Sequence, residues 1–371
     1  MKILVTGGAG FIGSFLVDKL LDIGHDVRIL DNLEPQVHPN GKPPDYLNKK
    51  AEFVKADMTD YKTVEEAVKD VEVVFHEAAL VGVGQSMYQV RRYVNANVLG
   101  TANLMDVLVN KEHDVKKVIV ASSMSTYGEG AYECKACGNV SPKIRPEKQM
   151  KNRDWEIHCP KCGKVLLPKS TPEDKKQEIN SIYALTKKDQ EDMVINIGRT
   201  YGLPCVALRY FNVFGPRQAL SNPYTGVVAI FLSRIKNRRP PVIFEDGMQS
   251  RDFICVHDIV QANILAMKSK SADYEIFNVG RGMQTTIKEV AESIAKLNNL
   301  NINPKITGEF RKGDVRHCFA DITKIKSKLG FEPEVSFEKG MLELMEWSKS
   351  QKAVDKLDVA TQELKYHGLV K

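Results

Sequence analysis

The 371-residue sequence lacks long hydrophobic runs. Its apolar stretches, such as Val118–Ala121, have the length of a strand, whereas a membrane-spanning helix needs about 20 apolar residues. The segment Ile3–Val5 leads directly into glycines, which leaves no room for the hydrophobic core of a secretory leader. These absences argue against a membrane protein and predict a cytoplasmic location.

The sequence also lacks an excess of charge outside one segment. The formal net charge is +6, and residues 134–171 hold nine Lys and Arg beside three acids, which accounts for the whole surplus. If four thiolates in this segment bind a zinc ion, its net charge falls to about +4. Nucleic-acid binding needs a stronger basic surface, so no nucleic-acid partner is expected.

The seven cysteines do not indicate a disulfide framework, because four of them form two C-x-x-C pairs. Each pair is followed by a glycine, Gly138 or Gly163, as in the knuckles of a zinc ribbon. The spacing predicts one structural zinc ion in an insertion at residues 129–175; a loop without metal and a redox pair are the alternatives. The predicted ligands are Cys134, Cys137, Cys159 and Cys162. The remaining cysteines, Cys205, Cys255 and Cys318, are expected to be packing residues.

The first half of the chain alternates short apolar runs with helical patterns, which is typical of βαβ units. The predicted fold class is α/β, a Rossmann-type doubly wound parallel sheet with a smaller C-terminal substrate lobe and a zinc-ribbon-like insertion. Residues 1–209 are the predicted cofactor-binding domain, and residues 210–350 form most of the lobe. Residues 251–280 are expected to return to the main sheet through a strand at Arg251–Val256. A helical tail follows at residues 351–371.

A glycine loop follows the first predicted strand. Gly7, Gly10 and Gly13 allow a tight turn and a close approach of a pyrophosphate to the start of a helix. Asp31 ends the second strand, where a carboxylate accepts hydrogen bonds from an adenosine ribose, and Asn32 follows it. No arginine is placed to hold a 2′-phosphate, so the pattern predicts NAD as the cofactor. The other predicted cofactor contacts are Phe11, Ile12, Asp57, Met58, Ala78 and Ala79.

A Tyr–Lys pair stands at helical spacing in the segment Ser181–Arg199. Tyr183 and Lys187 lie four residues apart, on one face of the predicted helix. A free phenol, with a pKa of about 10, is a poor base at neutral pH. A nearby ammonium group favours its phenolate form. The pair follows a strand that ends in Ser122–Gly128 and therefore predicts proton transfer beside the nicotinamide.

These motifs together resemble the extended short-chain dehydrogenases/reductases, in the branch of nucleotide-sugar epimerases and dehydratases. The likeness covers Met1 to about Trp347, apart from the insertion. It implies Ser123, Tyr183 and Lys187 as catalytic residues, a structural Asn97 beside the cofactor, and a homodimer joined by the helices after Tyr93 and Ser181. It implies a nucleotide-sugar substrate, with Ser123, Ser125, Asn212, Arg251, Arg311 and Arg316 as contacts.

Two positions distinguish among the reactions of this family. The family's 4,6-dehydratases carry Asp-Glu directly after the catalytic Ser or Thr, and its decarboxylases keep the Glu. Here Met124 and Ser125 stand at those positions, and neither transfers a proton at neutral pH. Elimination and decarboxylation are therefore disfavoured, which leaves 4-epimerisation or reduction of a 4-ketosugar.

The cysteine-rich insertion is similar to that of the dTDP-L-rhamnose 4-epimerases, with flanks at residues 127–130 and 171–174. That resemblance implies interconversion of dTDP-L-rhamnose and dTDP-6-deoxy-L-talose; an epimerase of the UDP-glucose type is an alternative. A regulatory protein that senses the cofactor is a more remote alternative. The intact set of Ser123, Tyr183 and Lys187 argues against it, because a sensor does not need all three.

Overall fold

A seven-stranded parallel sheet is the centre of the computed structural model, which describes residues 1–298 and 302–371. The strands are β1 (Lys2–Thr6), β2 (Asp26–Asp31), β3 (Glu52–Lys55), β4 (Val73–His76), β5 (Lys117–Ser123), β6 (Cys205–Tyr210) and β7 (Ile276–Val279). Their order is β3-β2-β1-β4-β5-β6-β7, and every neighbouring pair is parallel. The order reverses between β1 and β4, and ligands of such sheets bind at the carboxyl end of this switch point. The predicted fold class is confirmed for the sheet.

Helices cover both faces of the sheet and build the lobe. They are Phe11–Asp22, Tyr61–Ala67, Val83–Ser86, Val90–Tyr93, Gly100–Asn110, Glu147–Lys151, Ile182–Tyr201, Val227–Lys236, Val256–Lys268, Ile287–Leu297, Thr323–Leu329, Phe337–Lys349 and Leu357–Tyr366. A π-helical segment, Val94–Leu99, joins Val90–Tyr93 to Gly100–Asn110, and short 3₁₀ turns lie at Met124–Tyr127 and Lys270–Ala272. No helix among the residues described combines the length and the apolar character needed to cross a membrane.

The strands are almost continuously apolar because both faces of the sheet are buried. Ile3 and Val5 of β1 face the cluster that contains Leu16 and Ile259, on the helices Phe11–Asp22 and Val256–Lys268. Leu4, between them, faces the opposite cluster. This alternation places a helical layer on each side and leaves the carboxyl edge of the sheet free for a site.

The strand predicted at Arg251–Val256 does not join the main sheet. The observed strand, Phe253–Cys255, pairs instead with Asn212–Phe214. The position beside β6 is already taken by β7, so the returning part of the predicted 251–280 segment is Ile276–Val279. Three helices of the lobe then pack around this small sheet: Val227–Lys236, Ile287–Leu297 and Phe337–Lys349.

The insertion folds as a three-stranded antiparallel sheet made of Ala131–Cys134, Gly138–Val140 and Leu167–Lys169. Its own core is small and includes Tyr132, Ile157 and Leu166. Ala131 pairs with Lys169, so the chain enters and leaves the insertion at neighbouring points.

Candidate active site

A cavity of about 620 Å³ opens at the carboxyl ends of β1, β2, β4 and β5 and continues between the sheet and the lobe. The predicted cofactor contacts that line it are Gly7, Gly10, Phe11, Ile12, Gly13, Asp31, Asn32, Asp57, Met58, Ala78 and Ala79. Ser123, Tyr183 and Lys187 line the same cavity. The sheet therefore brings the predicted cofactor and catalytic residues together.

The glycine loop is packed so tightly that side chains are excluded. Gly7 has a φ of 69°, and a Cβ there would lie 2.9 Å from the backbone of Ala78. A Cβ on Gly13 would lie 2.3 Å from the carbonyl oxygen of Gly7. The loop thus passes directly into the helix Phe11–Asp22, whose first amides and partial positive charge favour a bound phosphate.

Asp31 is a buried acid at the end of β2. Its two oxygens accept hydrogen bonds from the backbone amides of Ala9, at 3.0 Å, and Leu33, at 2.8 Å. Burial raises the pKa of Asp31, and the hydrogen bond from Leu33 opposes that shift. Glu34 and Asp57 also line the cavity, so this group of acids disfavours a 2′-phosphate and fits NAD.

Asn97 does not line the cavity, although sequence reasoning placed it among the cofactor contacts. It is fully buried in the π-helical segment, and its amide exchanges hydrogen bonds with the backbone of Leu80 at 2.7 and 3.1 Å. It also donates to the hydroxyl of Thr186, at 2.9 Å. Asn97 therefore holds the segment after β4 against the helix Ile182–Tyr201, and its contact with a cofactor is indirect.

Tyr183 lies one turn before Lys187, on a helix capped by the side chain of Ser181. Burial raises the pKa of Tyr183 to about 12, and a hydrogen bond with the Ser123 side chain acts in the opposite direction. Burial also lowers the pKa of Lys187 to about 8, which the nearby carboxylate of Glu77 opposes. The ammonium of Lys187 donates to the carbonyl oxygen of Ala121 at 2.7 Å. A positive nicotinamide is the additional charge that would favour a Tyr183 phenolate.

Glu77 is a cavity-lining acid that sequence reasoning missed. Its carboxylate accepts a hydrogen bond from the hydroxyl of Tyr210 at 2.8 Å, and Asn263 donates to the same hydroxyl at 2.7 Å. Burial raises the pKa of Glu77 to about 7, against the effects of Tyr210 and Lys187. The available signal was its position, one residue after β4 and directly before the two alanines.

Two polar atoms at the substrate end of the cavity have no hydrogen-bond partner among residues 1–298 and 302–371. The hydroxyl oxygen of Ser125 and the amide oxygen of Asn212 are buried, and both residues line the cavity. Buried polar groups are nearly always hydrogen-bonded. These two atoms are therefore available to a polar ligand, and their contact with substrate stays a prediction.

A candidate anion-binding group, made of Arg251, Arg311 and Asp314, lies at the wall of the cavity. Arg251 and Arg311 share the carboxylate of Asp314, at 3.2 and 2.7 Å, and all three line the cavity. The guanidinium of Arg251 is fixed further by the carbonyl oxygen of Val315, at 2.6 Å. Two cations against one acid leave a net positive charge that suits a diphosphate.

Arg316, also predicted to bind phosphate, lies elsewhere. Its side chain is completely buried, and its guanidinium contacts Glu156 at 2.5 Å, Glu245 at 3.0 Å and Asp246 at 2.7 Å. Arg316 does not line the cavity, because its guanidinium is turned toward these three carboxylates. It joins the insertion to the lobe instead.

A second buried pair strengthens that junction. Arg145 of the insertion contacts Glu245 through two hydrogen bonds, both of 2.8 Å, and the pair is nearly inaccessible to solvent. Arg145 also donates to the carbonyl oxygen of Asp314. The insertion is therefore in direct contact with the segment that carries the anion-binding group.

The four predicted zinc ligands lie together. Their sulfur atoms are all within 4.8 Å of one another, and those of Cys134 and Cys162 are 3.5 Å apart. Gly138 and Gly163, after the two pairs, have φ angles of 77° and 72°. The arrangement is a cluster of four thiols in two tight turns, which is the donor set that a tetrahedral zinc ion takes.

Comparison with known families matches most of the chain. Residues 3–146 match the NAD dependent epimerase/dehydratase family, and residues 163–344 match the GDP-mannose 4,6 dehydratase family. The boundary between the two matches falls inside the insertion. The acid and base expected of a 4,6-dehydratase are replaced here by Met124 and Ser125.

Individual relatives span nearly the whole chain. The dTDP-L-rhamnose 4-epimerase of Burkholderia thailandensis is 36% identical, over 93% of this chain and 94% of its own length. A UDP-glucose 4-epimerase of Thermotoga maritima, solved with UDP-glucose, is 33% identical with a TM-score of 0.78, over 94% of this chain and 99% of that one. A Thermus thermophilus UDP-glucose 4-epimerase, solved with NAD, is 29% identical with a TM-score of 0.75, over 95% and 100%. The chain therefore belongs to the NAD-dependent epimerase/dehydratase family and, within it, to the nucleotide-sugar epimerases.

Proposed function

We propose that the protein is an NAD-dependent dTDP-L-rhamnose 4-epimerase, which interconverts dTDP-L-rhamnose and dTDP-6-deoxy-L-talose. The observation that carries this is the buried group of Ser123, Tyr183 and Lys187 in the cofactor cavity, with no proton-transferring side chain at Met124 or Ser125. The likeness to the Burkholderia enzyme supports the choice of base and sugar.

In the proposed mechanism, the glycine loop and Asp31 would hold NAD, which when bound would supply the hydride-transfer chemistry at carbon 4 of the sugar. Tyr183 takes the proton of the 4-hydroxyl, with Ser123 hydrogen-bonded to the same oxygen. Lys187 stabilises the phenolate of Tyr183. Asn212 and Arg251 hold the diphosphate while the 4-ketosugar turns its other face toward the cofactor, and Tyr183 then returns the proton.

The substrate is tested by incubating the protein with dTDP-, UDP-, GDP- and CDP-sugars and identifying the products by NMR. We expect dTDP-L-rhamnose to give a second product epimeric at carbon 4. Turnover of UDP-glucose alone would replace this proposal with the UDP-glucose type.

The mechanism is tested by running the reaction in deuterated water. Because the hydride returns to the carbon that it left, no deuterium should enter a carbon–hydrogen bond. Deuterium at carbon 3 or carbon 5 would mean enolisation beside the ketone and would contradict direct transfer.

A 4-ketosugar reductase is the second candidate function, because the same three catalytic residues serve both reactions. A reductase needs reduced cofactor from solution, whereas an epimerase regenerates its own. We expect purified protein to retain NAD and to turn over without added nicotinamide; a strict requirement for NADH or NADPH would favour the reductase. The absence of a nucleic-acid partner and the cytoplasmic location stay predictions.

The cysteine cluster is proposed to bind one structural zinc ion per chain, through Cys134, Cys137, Cys159 and Cys162. The small core of the insertion supplies little apolar burial, so metal binding would contribute to its folding. Metal analysis of protein purified without chelator should find about one equivalent of zinc. Cys159→Ser should speed proteolysis within residues 129–175, with Cys205→Ser as the control. Less than about half an equivalent of metal would contradict a closed zinc site.

A homodimer is proposed through the helices after Tyr93 and Ser181. Their outer faces expose the apolar side chains of Val94, Leu99 and Leu185, with 37 to 43% of each accessible. Light scattering should give twice the chain mass, and Leu99→Glu with Leu185→Glu should give a monomer. Val165→Glu, on the exposed surface of the insertion, should leave the mass unchanged.

A further inference from the structure

The C-terminal helix, Leu357–Tyr366, lies over the cavity. It follows the last lobe helix through residues 350–356, which form no helix or strand, and it lies beyond the family match, which ends at residue 344. Five side chains of the segment line the cavity: Leu357, Ala360, Thr361, Leu364 and Leu369. The segment is therefore part of the wall around the ligand.

Leu364 contacts the wall next to the catalytic helix. One of its methyl carbons would lie 2.9 Å from a Cβ added to Gly84, so the leucine side chain lies directly against this glycine. Two residues further on, the hydroxyl of Ser86 accepts a hydrogen bond from the backbone amide of Tyr183, at 2.9 Å. Leu364 thus lies against the short helix Val83–Ser86, which is hydrogen-bonded to the first turn of the catalytic helix, and it lines the same cavity as Tyr183.

A polar latch holds this contact. The hydroxyl of Tyr88 donates to the carboxylate of Glu363 at 3.0 Å, and the hydroxyl of Tyr224 donates to the same oxygen. His367 stacks on the ring of Tyr88, with 4.3 Å between the ring centres. The latch joins three segments that are distant in the sequence.

The final residues of the chain also pair with the anion-binding segment. The backbone of Lys371 exchanges two hydrogen bonds with Phe310, at 2.8 and 3.0 Å, and Leu369 accepts one from Lys312 at 2.9 Å. Arg311, between those partners, lines the cavity. Movement of the segment would therefore alter the cavity wall both beside Gly84 and beside Arg311.

The segment is held mainly by polar contacts and buries few apolar side chains compared with the core. Of its apolar side chains, only Ala360, Leu364 and Val370 are largely buried, whereas Val359 and Tyr366 are 61% and 87% exposed. Elements with few buried apolar contacts open at low free-energy cost. Opening of this segment would give a bulky nucleotide sugar access to the cavity.

We propose that residues 357–371 form a strap that closes over the sugar and prevents the 4-ketosugar from leaving before the hydride returns. The inference rests on the proposed epimerase function. The balance is simple: if the ketosugar escapes, its hydride and both electrons stay on the cofactor. Each ketosugar that escapes then leaves one chain with reduced cofactor and without the ketosugar that would reoxidise it.

The test compares Leu364→Ala with Val359→Ala, an exposed position on the same helix, in the full-length enzyme with dTDP-L-rhamnose. We expect Leu364→Ala to accumulate the fluorescence of reduced cofactor at least tenfold faster per turnover than wild type. Free 4-ketosugar should appear in equal amount, detected by mass spectrometry after borodeuteride reduction. Val359→Ala should match wild type. Equal accumulation in Leu364→Ala and wild type would overturn the strap.

Two further measurements separate the strap from the chemistry. Glu363→Gln, which weakens the latch without changing its volume, should increase loss of ketosugar in the same way but less than Leu364→Ala. Trypsin cleavage at Lys352 and Lys356 should slow when dTDP is added, whether or not any sugar reacts; cleavage that dTDP does not slow would count against closure. If wild type binds dTDP-L-rhamnose, protects the strap and forms no epimer, the proposed function fails while closure of the segment stands.

Discussion

The two ends of the cavity are built in different ways. The cofactor end consists of backbone and small side chains from the ends of adjacent strands, with Gly7 against Ala78 and Gly13 against Gly7. The substrate end is assembled from distant segments, including residues 311–315 and the C-terminal tail, and charged side chains join the neighbourhood of these segments to each other and to the insertion behind them. The first end is defined by backbone geometry and fits one cofactor closely. The second depends on side-chain pairs, so a substitution there can change the substrate without affecting the cofactor.

The largest effect is expected from substitution of Tyr183, the residue at which the cofactor end and the substrate end of the cavity meet. Tyr183→Phe should lower kcat by roughly 100- to 10,000-fold, because only the oxygen that accepts the proton is lost. Bound NAD should be unchanged, which ultraviolet absorbance and cofactor extraction will measure. Tyr201→Phe, on the exposed end of the same helix, is the control. Activity within about tenfold of wild type would remove Tyr183 from the role of base.

Removal of one partner from the buried ion pairs behind the substrate end should lower stability strongly. Glu245→Gln leaves the buried guanidinium of Arg145 without its carboxylate, so the free energy of unfolding should fall by about 3 kcal/mol. Glu309→Gln, at the half-exposed pair with Lys365, should cost less than about 1 kcal/mol. Urea unfolding measures both. Similar losses in the two variants would mean that the junction is no stronger than a surface pair.

The diphosphate contact should separate substrate from cofactor binding. Arg251→Gln should raise KM for the nucleotide sugar by about 10- to 100-fold, since hydrogen bonds to charged groups contribute about 1.5–3 kcal/mol. The affinity for NAD should not change. Arg311→Gln, whose side chain is 47% exposed, should raise KM by only a few fold. Weaker NAD binding in Arg251→Gln would contradict the separation of the two ends.

The smallest expected effect concerns pH at the cofactor end. Burial raises the pKa of Glu77 from 4.5 to about 7, with Tyr210 and Lys187 opposing the shift. Between these values the native state holds more protons than the unfolded chain, so this group lowers stability as pH rises from about 5 to 7. Glu77→Gln should remove that loss, which is on the order of 1–3 kcal/mol.

Thermal unfolding of the cofactor-free protein from pH 4.5 to 8 measures the difference in stability between wild type and Glu77→Gln at each pH. Groups that do not interact with Glu77 contribute equally to both proteins and cancel, whereas Lys187, whose pKa Glu77 raises, adds to the difference in the upper part of this range. The exposed Glu338→Gln should follow wild type at every pH. A wild-type curve parallel to that of Glu77→Gln would show that Glu77 does not titrate in this window.

Local signals explain which features could be predicted from the sequence. The glycine loop, Asp31 and the Tyr183–Lys187 pair depend on neighbouring residues and on one helical turn, so their spacing alone places them correctly. The partners of Arg316 could not be read in this way. Glu156, Glu245 and Asp246 lie 70 to 160 residues away, and only the folding of both the insertion and the lobe brings them to the guanidinium. The same applies to Phe253–Cys255, because strand pairing depends on which sheet edge is already occupied by β7.

Asn97 and the C-terminal helix show a second limit. A motif indicates that Asn97 is important but not whether it contacts a ligand or supports the wall behind one. The helix Leu357–Tyr366 has an ordinary amphipathic sequence. Over the cavity it contacts Gly84 and two tyrosines, Tyr88 and Tyr224, and these contacts give no signal in a single sequence.

The paired entry and exit of the insertion have a consequence for how such enzymes can change. Ala131 and Lys169 are neighbours on adjacent strands, so a chain that goes straight from one to the other needs only a hairpin turn. Ser123 and Tyr183 lie outside that hairpin, and the sheet holds them whatever the loop contains. A lineage could therefore acquire, exchange or discard the module in one step, provided that Arg316 and Glu245 remain as partners for each other. The sheet and the catalytic helix can therefore stay the same while the cysteine-containing insertion changes.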